Sequence, residues 1–261
     1  MSKRYQILLS AMAIVGVIGI YLLIRLASPG YPEIIAAPSL YDDRPLPEFA
    51  AVTDVATKKA NFFSFLLPLV ETENNRILLI RQELQLLRSL SSLERSQQQW
   101  LDRVTQHYRI TKVPGDHQQL LAVLLQRVDI VPPSLALAQS ANESAWGRSR
   151  FAQQGNNLFG QWCFTKGCGI VPGSRTEGAL HEVAVFESPG KSVEGYIHNL
   201  NSNMAYEDFR RIREVQRAQQ SFVSGEVLAE GLLKYSARGV DYIKELRAMI
   251  AINKLEQYDK F

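Results

Sequence analysis

Residues 138–160 read AQSANESAWGRSRFAQQGNNLFG. Upstream, Pro132 and Pro133 suit the first positions of a helix, where a missing N–H costs little. The helix they open runs from Ser134 to about Glu143 and buries Leu135, Leu137 and Ala138. Its small residues, Ala136, Ala138, Ser140 and Ala141, permit close packing. Glu143 then stands at the negative end of a helix dipole, with Trp146 just behind it. Both the dipole and apolar contact disfavour the ionised form and raise the pKa. A carboxyl kept protonated this way can give its proton to the leaving oxygen of a glycosidic bond. Taken alone, Glu-Ser-x-Trp-Gly favours a helix-end Glu bonded to nearby backbone. Asn156-Asn157-Leu158-Phe159-Gly160, a dozen residues on, favours the catalytic reading.

Working outward, Asn156 and Asn157 can bond sugar hydroxyls or an N-acetyl group, or can cap a helix, since Asn tolerates a left-handed backbone. Phe159 and Trp162 are core residues or sugar-stacking faces, Trp146 reads as a wall of the acid's pocket, and Gly160 permits close backbone approach. Between residues 163 and 186, glycines punctuate short runs and residues 181–186 alternate, which predicts a β-hairpin or small β-lobe. Helices resume at 192–201, 206–220, 226–234 and 241–257. Upstream, apolar periodicity predicts a helix from residue 55 interrupted near Pro68. A second follows over 71–99 with a stripe of Ile80, Leu84, Leu87 and Leu90 or Ser91, then others over 100–113 and 118–127. The stripe suits packing on the following domain; a coiled-coil seam would need more heptads. The fold class is mainly α with one small β excursion.

These motifs carry a family resemblance. Ala138-x-x-x-x-Glu143-Ser144-x-Trp146-Gly147 followed by Asn156-Asn157-Leu158-Phe159-Gly160 resembles the glucosaminidase family, glycoside hydrolase family 73. The chain is most similar to its Bax-type subgroup from Gram-negative bacteria. That subgroup has a Cys-x-x-x-x-Cys pair after Leu-Phe-Gly, here Cys163 and Cys168. It has Leu-Leu-x-Arg-Val-Asp-Ile-Val-Pro upstream, here residues 124–132, and Lys-Lys-x-x-Phe-Phe, here residues 58–63. The likeness covers residues 52 to 255. It implies a lysozyme-like α domain with a small β lobe, acting on peptidoglycan at the β-1,4 bond on the reducing side of N-acetylglucosamine. Cleavage next to N-acetylmuramic acid by a lysozyme or lytic transglycosylase is the enzymatic alternative. A glycan-binding or scaffold protein without catalysis is the other.

Glycosidases of the usual kind need two carboxyl groups. The first is Glu143. The resembled family places another in a Thr-x-Glu pattern of the β lobe; the nearest match is Thr176-Glu177, one residue short of that spacing, with Glu182 next. The substrate's own acetamide can also serve as nucleophile. Tyr235 would then steady it, because residues 233–242 resemble the family's Tyr-Ala/Ser-Thr-Asp-Pro-x-Tyr segment. Tyr242, the second tyrosine there, is expected to line the substrate. Arg238 stands where the family carries an acidic residue. Both tyrosines equally suit helix packing.

Residues 7–24 are apolar, with Lys3 and Arg4 before them and Arg25 after. This predicts a membrane anchor over 7–27 with a cytoplasmic N-terminus at 1–6. A cleaved signal peptide is the alternative, for which residues 27–30 make a poor cleavage site. A Pro-rich linker follows over 28–50, with Ile34-Ile35 able to dock on the domain surface. A helical N-terminal region spans 51–115 and the catalytic domain 116–261. The two cysteines suit export and a short disulfide loop; two thiols alone do not fill a zinc site, no His lies within the loop, and nothing in the spacing of His181 and His198 favours them as ligands. No metal or cofactor is expected. A formal charge of +3 with no basic cluster argues against nucleic acid. The expected partners are peptidoglycan strands and, through the anchor, the inner membrane, with the catalytic domain in the periplasm.

Overall fold

Asp54 starts the long helix over Val55–Arg88 by accepting the Thr57 N–H at 2.7 Å, a side-chain cap of the usual kind. The computed structural model describes residues 30–36, 44–113, 115–173, 178, 180–219 and 222–260, and residues 33–261 form one unit. Helix α1 (Val55–Arg88) runs unbroken through Pro68, where an interruption was expected. Pro68 and Ser64 are both exposed. The carbonyl that loses its helical donor therefore faces water, and buried Phe62, Phe63, Leu66, Leu69 and Val70 hold both sides of the proline in place. The stripe of Ile80, Leu84 and Leu87 is buried against the domain, and α1 packs on α3 (His117–Arg127), α4 (Pro133–Glu143) and α6 (Pro189–Ser202). The pattern expected to continue to residue 99 stops at Arg88. Glu94 and Gln97 form a capping box that starts α2 (Arg95–His107), ahead of the expected start at residue 100.

Helix α4 is the centre of the unit. Residues 133–141 are all buried, as a helix of small and apolar residues on every face requires. Helix α8 (Gly225–Leu228) meets it backbone to backbone: a Cβ on Gly225 would lie 2.1 Å from Ser134 Oγ. Asp259 locks the contact, accepting from Ser134 N and Oγ and from Gly225 N at 2.6–2.9 Å. Helix α9 (Val240–Ile252) covers the far end of α4. It stops before residue 257 because Lys254 turns left-handed, and a 3₁₀ turn (Leu255–Tyr258) finishes the segment. Helices α5 (Arg150–Gly155) and α7 (Glu207–Gln219) complete the helical part.

The β excursion is a three-stranded antiparallel sheet rather than a single hairpin. Strand β3 (Glu182–Ala184) lies between β1 (Trp162–Cys163) and β2 (Gly169–Ile170), with Trp162 opposite Val183 and Gly169 opposite Ala184. Gly169 is required there, since a Cβ would meet the Val183 carbonyl at 2.0 Å. Cys163 and Cys168 are joined as a disulfide across the turn. The anchor expected over residues 7–27 lies outside the described residues; among the described residues no helix is long and apolar enough to cross a membrane.

Candidate active site

The site is built on the end of α4. Ser144 stops the helix: its hydroxyl donates to the Ser140 carbonyl at 2.6 Å and accepts the Gly147 N–H at 2.7 Å. Ala145, Trp146 and Gly147 all take positive φ, from 52° to 74°. This tight reversal throws the Trp146 ring against Phe62 and Phe63 of α1, at centroid distances of 5.7 and 5.3 Å, with Lys59 Nζ 5.0 Å from its ring centre. The Lys-Lys-x-x-Phe-Phe segment and the Glu-Ser-x-Trp-Gly segment, about 80 residues apart, therefore meet in space. Trp146 fastens the end of α4 to α1. Gly147 has no substitute, because any Cβ would meet Phe49 at 2.6 Å.

The reversal leaves the Glu143 carboxyl half-buried. Its Oε1 accepts the Tyr242 hydroxyl at 2.8 Å, and its Oε2 faces Gly160, where a Cβ would come within 3.3 Å. Gly160 has φ +62°, so glycine serves both the turn and the close approach. Burial pushes the Glu143 pKa above the ordinary glutamate value; the Tyr242 hydrogen bond and Arg238 oppose this, and Glu245 adds to it. Arg238 is paired with Glu245 at 2.6 Å and lies 5.3 Å over the Tyr242 ring. The Asn142 amide spans the pair, one end 3.2 Å from Glu245 and the other 3.2 Å from Arg238, and hydrogen bonding to both assigns its nitrogen to Glu245 and its oxygen to Arg238. Arg238, in the place of the family's acidic residue, is thus balanced by a carboxylate from α9. Chemically, the arrangement is a carboxyl with one oxygen held by a phenol and the other beside bare backbone, biased toward its protonated form.

Beneath it lies a floor of aromatic rings. Tyr235 and Tyr242 stack at 5.8 Å and 3°, and Phe159 stacks on Tyr196 at 3.9 Å and 7°. Tyr242 is the tyrosine that touches Glu143. The Tyr235 hydroxyl donates to the Phe159 carbonyl at 2.7 Å, so Tyr235 pins the backbone leading into Gly160.

Several other expectations are corrected. Phe159 is wholly buried and has no face for a sugar. Asn156 is the left-handed cap of α5, and its amide donates to the Phe186 carbonyl at 3.0 Å. Asn157 is buried, with its nitrogen on the Gln161 and Ala184 carbonyls and its oxygen on the Phe159 and Gln161 N–H groups. Asn157 has both amide atoms committed to backbone and none left for a sugar, Asn156 takes the capping role that was its other reading, and together they tie α5 to the sheet. Glu182 is buried and accepts the Gly167 and Gly169 N–H groups at 3.1 and 2.9 Å, bracing the disulfide turn. The Cys163, Cys168 and Glu182 side chains lie together, but the bonded sulfurs offer no thiolate to a metal. Trp162 is 58% exposed and stacked on His181 at 4.3 Å and 13°, leaving a ring face open for a sugar. Thr176 and Glu177 lie outside the described residues.

Gln139 and Tyr196 were not anticipated. Gln139 sits one turn before Glu143 and joins Tyr196 to Tyr242 through its amide. The i, i+4 spacing from Glu143 was the one signal in the sequence that could have found it.

Residues 119–255 match the Glucosaminidase family, described as mannosyl-glycoprotein endo-beta-N-acetylglucosaminidase. Protein bax of Escherichia coli K12 is 30% identical over 213 residues, covering 80% of this chain and 74% of that protein. The catalytic domain of the autolysin Auto from Listeria monocytogenes is 20% identical, covering 67% of this chain and 94% of that one, with a TM-score of 0.35. The family match contains Glu143, Gly160, the disulfide and both stacked tyrosines, and on it, with the relative at 30% identity, the chain belongs to the glucosaminidase family.

Proposed function

We propose that this chain is a peptidoglycan hydrolase, an endo-β-N-acetylglucosaminidase with Glu143 as general acid. The observation that carries the reading is the Glu143 carboxyl, raised by burial, tied on one oxygen to Tyr242 and lying against Gly160 with the other. A protonated carboxyl so held suits donation to the departing sugar oxygen. Family membership supports the reaction class, and the choice of bond follows the family. Glu182 is committed to backbone N–H groups. The second group is therefore Glu177 or the acetamide of the substrate, and we favour the acetamide because Thr176-Glu177 departs from the family's spacing. Trp162 offers the stacking surface for a sugar ring.

The test is mass spectrometry of fragments released from purified sacculi. Products ending in reducing N-acetylglucosamine are expected. Products ending in reducing or anhydro N-acetylmuramic acid would replace this reading with a muramidase or a lytic transglycosylase. Binding without release would leave a glycan-binding protein. Glu143→Gln should lose ~10²–10⁴ in rate while still binding glycan. Glu177→Ala should be mild if the acetamide acts; a loss as deep as that of Glu143→Gln would make Glu177 the second catalytic carboxylate.

A further inference from the structure

We propose that Gln139, anchored by Tyr196, is a positioning residue that orients the Tyr242 hydroxyl and thereby decides which oxygen of Glu143 carries the transferable proton. This rests on the general-acid reading of Glu143.

Gln139 and Glu143 are one helical turn apart on α4, so they share a face. Gln139 is fully buried. Its two amide atoms have different partners. The Tyr196 hydroxyl donates to Oε1 at 2.5 Å, and Nε2 donates to the Tyr242 hydroxyl oxygen at 3.0 Å. An amide oxygen only accepts and an amide nitrogen only donates, so this order gives the chain of bonds a direction. Tyr242 has a single proton. With its oxygen receiving from Gln139, that proton points to Glu143 Oε1, 2.8 Å away. A proton on Oε1 would oppose it head-on, so the carboxyl proton sits on Oε2. That oxygen lies beside Gly160, where the missing Cβ keeps the approach clear. The reversed amide would draw the Tyr242 proton toward Gln139 and leave Oε1 as the protonated oxygen, turned into the protein.

Tyr196 supplies the partner of the amide oxygen at the far end of this chain of bonds. Its ring is fixed by stacking on Phe159, and Phe159 is in turn pinned through its carbonyl by Tyr235. Burial pushes the Tyr196 and Tyr242 phenols well up, so both keep their protons in the working range. The groups that bear on Glu143 from the packed elements are Tyr242 and Glu245 on α9 and Arg238 in the turn before it. Arg238 and Glu245 are paired with each other. Tyr196, Tyr206 and Tyr235 face it from farther off.

The experiment measures kcat and KM on soluble peptidoglycan strands with the full chain, thermal melts confirming that each variant is folded. Gln139→Met keeps length and burial but cannot orient the hydroxyl. It should lower kcat about tenfold, the scale of one lost hydrogen bond, with KM little changed. In a Tyr242→Phe background the same change should cost nothing further, because the hydroxyl it orients is gone. A packing role would cost the same in both backgrounds, and that result would overturn the proposal. Tyr196→Phe removes one oxygen at the far end and carries the test if Gln139→Met does not fold; it too should lower kcat and leave KM. In Gln139→Glu the introduced carboxyl donates to Tyr242 only while protonated. Turnover should then approach wild type in acid and fall as that group ionises, and a profile parallel to wild type would count against the relay. Wild-type rate in Glu143→Gln would remove the general-acid reading itself. An inactive Glu143→Gln beside wild-type kcat in Gln139→Met and Tyr196→Phe would remove the relay alone.

Discussion

The Glu143 carboxyl is a group whose ionised form is disfavoured by its own burial. Burial raises its pKa above the ordinary value of 4.5. Between that value and the raised one, the folded chain holds a proton that the unfolded chain has released. Stability therefore falls as pH rises through this window and stays reduced above it. Glu143→Gln removes the charge, keeps an oxygen for Tyr242, and should melt at a higher temperature than wild type at pH 7. The gain should vanish below about pH 4, where both states are protonated. An unchanged or lower melting temperature at pH 7 would show that Glu143 is not strained by burial. At this scale, Glu143 and Gly160 were legible because a helix end and a glycine have local signatures. Gln139 was not, because its partners lie 57 and 103 residues away. Asn156 and Asn157 misled for the reverse reason: their amides suit a sugar and suit a peptide carbonyl equally, and only the fold shows which is present.

The Leu-Leu-x-Arg-Val-Asp-Ile-Val-Pro segment acts at the scale of elements. Asp129 receives Arg217 in a two-pronged pair at 2.7 and 3.1 Å, with Arg81 at 3.6 Å and Arg213 at 4.0 Å. Arg81 and Arg213 also donate to the carbonyls that α3 leaves unpaired at its end: Leu125 and Val128 for the first, Gln126 and Arg127 for the second. Asp129 thus balances the guanidinium groups that join α1 and α7 to the end of α3. Burial alone would raise its pKa, but Arg213, Arg217 and Arg81 outweigh burial and hold it below the ordinary range. Its stabilisation is present at neutral pH and is lost as pH falls through the lowered value. Asp129→Ala leaves buried positive charge uncompensated and should cost about 3–5 kcal/mol in denaturant unfolding. A loss under about 1 kcal/mol would mean that water replaces the carboxylate. The helices themselves were largely readable, since caps and apolar periodicity are local. The continuity of α1 through Pro68 was not, because whether a proline breaks a helix depends on which way its i−4 carbonyl faces.

At the scale of the whole molecule, the segment leading into the domain is held by its backbone. Arg76 donates to the Glu33 and Ile34 carbonyls, Lys191 donates to the Ala36 carbonyl at 2.8 Å, and Glu194 accepts the Ala36 N–H at 3.0 Å. Ile35 stays exposed. Docking of the segment near Ile34-Ile35 was expected, and it occurs through peptide groups, which leave no sequence signature at the segment itself. Residue 36 is therefore fixed to the domain whatever becomes of the residues before 28. These contacts are the same under either reading of the N-terminus, because cleavage would not release any of them. We propose that residues 7–27 remain as an uncleaved inner-membrane anchor with the domain in the periplasm. The apolar run and its basic flank support this, as does a disulfide suited to an oxidising compartment. The full chain should then sediment with membranes after a high-salt wash, leave them only with detergent, and begin at or near Met1 by mass. Its cysteines should resist alkylation in unfolded protein until reductant is added. A soluble periplasmic form beginning near Ser28, still folded and still oxidised, would replace the anchor with a cleaved signal and leave the account of the domain intact. A chain that remains in the cytoplasm with two free thiols would overturn both readings of the N-terminus.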